Sequence, residues 1–166
     1  MRAAEVLALL DSLQAEGLRV WLDGGWGVDA LLAEETRTHE DVDLVIELEA
    51  LPDVLKVLKT LGFLMAEDHR PTRVVLRASD GRQADLHPVT FTGDGTGWQR
   101  GASSDGSDCA YPPWGFGEGF IGDRVVPCLT AELQLEHHKG YEPRDHDRAD
   151  MAHLAGRFGL TLVDPY

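Results

Sequence analysis

The stretch WLDGGWGVDALLAEETRTHEDVDLVI, residues 21–46, decides the architecture of this chain. An apolar run over 18–22 reads as a buried strand, the chain turns sharply at Asp23 to Gly25, and a short helix follows with Val28, Leu31 and Leu32 on its inner side. A charged loop, EETRTHE, leads into a strand over 42–47 whose start carries Asp41 and Asp43. Successive residues of a strand alternate faces, so Asp41 and Asp43 point the same way while Val42 and Leu44 face the core. Two carboxylates therefore stand side by side.

Such a pair is costly on its own. About 5 Å apart at an effective dielectric near 20, two like charges repel by roughly 3 kcal/mol before desolvation is counted. A hard divalent cation relieves that repulsion, and Mg²⁺ is commonly held by one or two carboxylates with phosphate oxygens completing its shell. Upstream, Gly24 and Gly25 let the backbone turn and approach a ligand closely. The helix starting near Trp26 aims free N–H groups outward, which suits an anion. An anion cradle and a cation clamp share one segment.

Strand, GG, helix and then DVD opening an apolar strand together resemble the signature of the DNA polymerase β-like nucleotidyltransferase superfamily. Within it, GGWGVDALL followed by TRTHEDVDLVI is most similar to the small antibiotic nucleotidyltransferases, the lincosamide and aminoglycoside 2''-type enzymes. Trp26 stands where the wider superfamily has Ser, and fifteen residues separate Gly25 from Asp41. The resemblance implies an α/β (α+β) fold, a mixed β-sheet flanked by helices with further helices at the C-terminus. It also implies transfer of a nucleoside monophosphate, AMP from ATP or from another NTP its equivalent, to a hydroxyl of a small cationic antibiotic.

Working outward, a helix over 52–61 has Pro52 in its first turn, Val54, Val57, Leu58 and Leu61 on one face and Gly62 at its end. Strands over 63–66, 72–78 and 82–87 follow, the last two joined by the Asp80-Gly81 hairpin signal, so the sheet has antiparallel pairing in its second half. In RQADLHPV, Ala84 and Leu86 share one face, and Asp85 and His87 the other. If this strand lies beside the one bearing Asp41 and Asp43, a strand spacing of about 4.8 Å brings Asp85 to the same cation. The resemblance agrees, since a hDhHP pattern after a hairpin is where the lincosamide enzymes carry their third acid.

On that basis two Mg²⁺ ions are assigned to Asp41, Asp43 and Asp85, with Asp85 also the proton acceptor, and the nucleotide to Gly24, Gly25, Trp26, Arg37 and Lys139. Arg37 can fork onto a phosphate or pair with Glu34 or Glu40. Lys139 can meet a triphosphate or serve a helix end. Asp29 reads as structural, in the first turn of its helix; His39 either orients a catalytic carboxylate or has no chemical duty. His137 and His138 read as surface or supporting residues, and Asp147 and Asp150 as helix caps.

The remaining segments are a first helix over 3–16 closed by Gly17 and a second hairpin at Gly122-Asp123. Ahead of that hairpin, residues 90–119 dissolve into Gly, Ser and Asp with Trp98, Tyr111, Trp114 and Phe116. They form either an acceptor-binding loop or a disordered insertion. Thr130 caps a helix to about His138, and Pro143 opens another to Phe158 and Gly159. LTAELQLEHHKGY and RDHDRADMAHL are similar to the tail of the lincosamide enzymes. Residues 1–128 then form a catalytic core and 129–166 a helical segment of one domain.

The chain carries 15 basic and 29 acidic residues in 166, a net charge of −14. That field repels nucleic acids and attracts small cations. There is no apolar run of membrane-spanning length, and Cys109 and Cys128 suggest no disulfide framework, so a cytoplasmic protein without membrane partners is expected, with a homodimer left open. Two other readings stay open: a non-catalytic or antitoxin-like nucleotide-binding module, and a protein-modifying nucleotidyltransferase.

Overall fold

A computed structural model describes residues 1–139, 142–162 and 166. Strands β1 (Val20–Asp23), β2 (Asp41–Glu47), β3 (Phe63–His69), β4 (Arg73–Ala78) and β5 (Gln83–Phe91) build the first part of one mixed sheet. Strands β6 (Gly97–Gln99), β7 (Cys109–Tyr111), β8 (Phe116–Ile121) and β9 (Arg124–Leu129) complete it. Helices α1 (Ala3–Ala15), α2 (Gly24–Leu32), α3 (Leu51–Thr60), α4 (Ala131–His137) and α5 (Asp145–Phe158) pack around it.

The sheet runs in the order β3-β4-β5-β2-β1-β9-β8, with β6 and β7 extending from β5. β1 and β2 pair antiparallel, whereas β2 and β5 pair parallel, the connection between them running through α3 and the β3-β4 hairpin. The β2 alternation gives one face to the core: Val42, Leu44 and Ile46 are fully buried, and Ala84 and Leu86 of β5 lie beside them. Val6, Leu9, Leu10 and Leu13 of α1 and Val54 and Leu58 of α3 join the same apolar cluster. A second cluster ties Val28 of α2 to Ala131 of α4 and to Met151 and Leu154 of α5.

Several boundaries differ from the sequence reading, each for a local reason. β1 starts at Val20 and reaches Asp23, and α2 begins at Gly24 because the Asp23 side chain accepts the Gly24 N–H and caps it. Residues 90–119 are neither loop nor insertion throughout. β6 pairs with the end of β5 through Thr90↔Trp98, and β7 pairs with β6 through Gly97↔Tyr111. Strands of three residues are too short for a period of two to show against so many glycines and serines. The HKGY motif falls partly outside the described residues, at Gly140 and Tyr141.

One close approach sets how α2 lies on the sheet. A Cβ on Gly119 of β8 would come within 2.5 Å of the Ala30 carbonyl group of α2. Only glycine lets the helix sit that near. Gly119→Ala is expected to destabilise the fold by about 1–3 kcal/mol through overpacking, measured as a lower urea midpoint with an unchanged slope.

Candidate active site

Strand register places three aspartates in one row. Asp23 on β1 stands opposite Asp43 on β2, and Asp43 stands beside Asp85 on β5. Partners in register share a face, so all three carboxylates point to the same side of the sheet, at about 4.8 Å per strand. They form the floor of a cleft of ≈ 560 Å³ at the N-terminus of α2, which Gly24, Gly25, Arg37 and Asp41 also line. His137, His138, Arg144 and His146, from α4 and the start of α5, make the opposite wall.

Each acid of the row has its own positive or donor partner. Asp23 takes the Gly24 N–H at 2.8 Å, at the positive end of the helix. Asp43 Oδ1 faces His87 Nε2 at 3.4 Å. Asp85 receives Arg73 from β4, whose Nε lies 2.8 Å from both carboxylate oxygens while Nη2 bonds Oδ2. That hydrogen bond, with the charge of Asp85 behind it, holds the Arg73 guanidinium above its ordinary pKa despite partial burial. Burial raises the pKa of Asp41, and the neighbouring Asp43 charge raises it further.

Two influences compete at His87. Burial disfavours a charged ring, yet the Asp43 hydrogen bond and the charges of Asp43, Asp23 and Asp85 push its pKa up to about 9, a rise that a cation between those acids would cancel. Against that second proton stands Gln99 of β6, whose amide nitrogen lies 3.2 Å from His87 Nδ1. A proton on Nδ1 would meet the amide hydrogens, so this contact favours the neutral ring.

The assigned residues separate into those that converge and those that do not. Asp43 and Asp85 come together, and His87 takes the third place: one ligand atom from each lies within 4.8 Å of the others. Asp41 lines the cleft two residues before Asp43, at the start of β2 and beside Gln83, and stands outside that close group. Gly24 adopts φ +54°, and a side chain there would run into Asp43, so the turn needs glycine to lie against the acid. A side chain on Gly25 would strike His39 and Arg37.

Trp26 goes elsewhere. Its side chain is 2 % exposed and packs in the core with its ring 4.8 Å from that of His39, because the third position of α2 faces inward. Lys139 also lies off the cleft. Its Nζ bonds Glu136 at 2.5 Å, and it lines a neighbouring recess of ≈ 590 Å³ with residues 102–104 and 108–110. His137 borders both cavities.

Arg37 does line the cleft, paired to neither Glu34 nor Glu40 but to Asp150 of α5, with Nη2 to Oδ2 at 2.8 Å. Asp150 is therefore an ion-pair partner rather than a cap. Asp147 is the cap, accepting the Arg144 N–H at 2.8 Å. His39 bonds Asp29 at 2.5 Å, not a carboxylate of the cleft, and Asp29 also accepts the Thr36 N–H and hydroxyl. Asp29 is structural, though it sits at the sixth position of α2, beyond the first turn. His87, Arg73, Gln99 and Asp23 were not assigned from sequence. The shared face of Asp85 and His87 was the one available signal.

The donor set fits a divalent cation. Asp43 and Asp85 supply hard oxygens on adjacent strands, and the Arg73 guanidinium that masks Asp85 is a positive group whose place a cation could take. Mg²⁺ added to chelator-treated protein is expected to raise the melting temperature in proportion to ln(1 + [Mg²⁺]/Kd). In Asp43→Asn a melt series over the same concentrations should show that rise lost.

The family model described as aminoglycoside-2''-adenylyltransferase matches residues 5–154. A lincosamide resistance protein of Staphylococcus haemolyticus is 31 % identical over 150 residues, covering 90 % of this chain and 92 % of the relative. A 2''-aminoglycoside nucleotidyltransferase of Escherichia coli is 32 % identical over 60 residues, 36 % of this chain and 34 % of its own. Among solved structures, the lincosamide antibiotic adenylyltransferase LnuA with lincomycin bound superposes with a TM-score of 0.82 at 30 % identity, over 93 % of this chain and 96 % of LnuA. ANT(2'')-Ia in complex with adenylyl-2''-tobramycin has the same fold, with a TM-score of 0.74 at 18 % identity over 95 % and 89 % of the two chains. With the profile spanning nearly the whole chain and the acids meeting in the cleft, this protein belongs to the aminoglycoside-2''-adenylyltransferase family of antibiotic nucleotidyltransferases.

Proposed function

We propose that the protein transfers AMP from ATP to a hydroxyl of a lincosamide, releases pyrophosphate, and depends on Mg²⁺. The observation that carries this is the parallel register of Asp43 and Asp85 at the mouth of the Gly24-Gly25 turn. The lincosamide is preferred over the aminoglycoside because the likeness to the lincosamide enzyme spans 92 % of that relative, and that to the aminoglycoside enzyme 34 %.

The chain's own groups divide the work by position. The N-terminus of α2 and the cation Arg37 lie where a triphosphate would meet them, and Arg37 would exchange Asp150 for a phosphate oxygen. Asp41, Asp43 and Asp85 would hold two Mg²⁺ ions, which supply charge neutralisation at the triphosphate and acidify the acceptor hydroxyl. Asp85 accepts that hydroxyl's proton on a carboxylate oxygen, and Arg73 must yield one of its contacts for this to happen. The acceptor enters past His137, whose side borders the recess of residues 102–110. Positioning and electrostatics do the rest, as phosphoryl-type transfer requires.

Asp85→Asn and Asp43→Asn are each expected to lower Mg-ATP-dependent pyrophosphate release with a lincosamide by 100-fold or more, on the order of the loss from removing one preorganised charged group, with an unchanged circular dichroism spectrum. Asp41→Asn should be equally damaging. Activity within about threefold of wild type in any of the three would remove that acid from the mechanism. ATP binding by calorimetry without acceptor-dependent turnover would identify a nucleotide-binding module instead.

A further inference from the structure

The β6-β7 hairpin carries two buried polar side chains, Gln99 and Tyr111, to the back of His87. The Gln99 amide is engaged on each side. Its nitrogen donates to the Thr72 carbonyl at 2.8 Å, and its oxygen accepts from the Tyr111 hydroxyl at 2.7 Å. A carbonyl only accepts, so turning the amide over would set two oxygens against each other. The remaining amide hydrogen therefore faces His87 Nδ1, 3.2 Å away. Only a bare ring nitrogen can receive it, which leaves the ring proton on Nε2, the atom facing Asp43 Oδ1.

We infer that Gln99 is a positioning residue for nucleotidyl transfer: it fixes His87 in the form protonated at Nε2, so that His87 donates to Asp43 and stays out of the cation's shell. This inference rests on the function proposed above. By distance alone Asp43, Asp85 and His87 could share one ion. A protonated ring nitrogen has no lone pair to offer, so binding falls to the carboxylates, in keeping with the preference of Mg²⁺ for oxygen. The hydrogen bond engages Oδ1 of Asp43, while Oδ2 lies against the glycine turn at Gly24. Orientation of a ligand by a neighbour that never touches the metal is a general device of metal sites.

The alternative is that Gln99 only satisfies buried hydrogen bonds, and a double-mutant cycle separates the two. Gln99→Met keeps the length of the side chain and removes its amide hydrogens. His87→Gln puts an amide donor near the former Nε2 with no need of Gln99 to set it. In the wild-type protein with Mg²⁺ and no acceptor, imidazole ¹⁵N spectra should show His87 neutral and protonated at Nε2, and Gln99→Met should lose that single form. With Mg-ATP and a lincosamide, Gln99→Met should lower kcat about 10-fold or more, the usual cost of losing such a partner, with KM for the acceptor little changed.

In the His87→Gln background the same substitution should cost less than about threefold, because the two residues act as one unit. A wild-type His87 protonated at Nδ1, or an equal loss in both backgrounds, overturns the proposal. Should Gln99→Met not fold, Tyr111→Phe removes only the hydroxyl that orients the amide and carries the same expectation in both readouts. If the wild-type protein shows no turnover, the proposed function fails while the ¹⁵N spectra still decide the tautomer.

Discussion

Three like charges set in register across adjacent strands are the constraint around which this molecule is arranged. At about 5 Å and an effective dielectric near 20, each neighbouring pair of carboxylates costs roughly 3 kcal/mol if nothing intervenes. The fold answers each acid differently: a helix terminus for Asp23, an imidazole for Asp43 and a guanidinium fork for Asp85. The ion pair on Asp85 can be exchanged for a cation, which is what makes the row usable rather than merely tolerated.

The supports of the row reach far from it. Asp29 and His39, 2 % and 3 % exposed, strap the loop after α2 back onto that helix, and Thr36 adds two more bonds to the same carboxylate. The strap presses His39 against Gly25 and Arg37 beside it, so the glycine turn, the guanidinium and the start of β2 are held as one piece. From the other side, Asp150 of α5 takes Arg37, and α5 packs on α2 through Val28, Met151 and Leu154. The C-terminal helices are in this way part of the cleft's geometry and not only its cover.

Much of this was legible in the sequence, and the misses have a common cause. Asp41 and Asp43 could be placed on one face because strand alternation is local, and Asp85 and His87 on another for the same reason, whereas the neighbourhood of the two strands entered only as a condition. The parallel pairing that sets Asp43 beside Asp85 is a tertiary feature that the structure supplies. Partners chosen by tertiary contact were out of reach: Asp150 lies 113 residues from Arg37, and Gln99 sits on a strand of three residues among glycines and serines. Trp26, assigned to the nucleotide from its place in the resemblance, lies in the core instead, because the first turn of α2 points it there.

The register of β4 against β5 also bears on the order in which the molecule assembles. Arg73 and Asp85 are 12 residues apart and meet within one hairpin, whereas His87 and Asp43 are 44 apart and meet only after the crossover has closed. Closing the shorter loop saves about 1 kcal/mol of chain entropy. The hairpin can thus form early with its acid already masked by arginine, and β2 receives a nearly neutral edge instead of a second naked charge. Electrostatic repulsion between the acids is thereby lowered where β2 and β5, distant in sequence, have to pair.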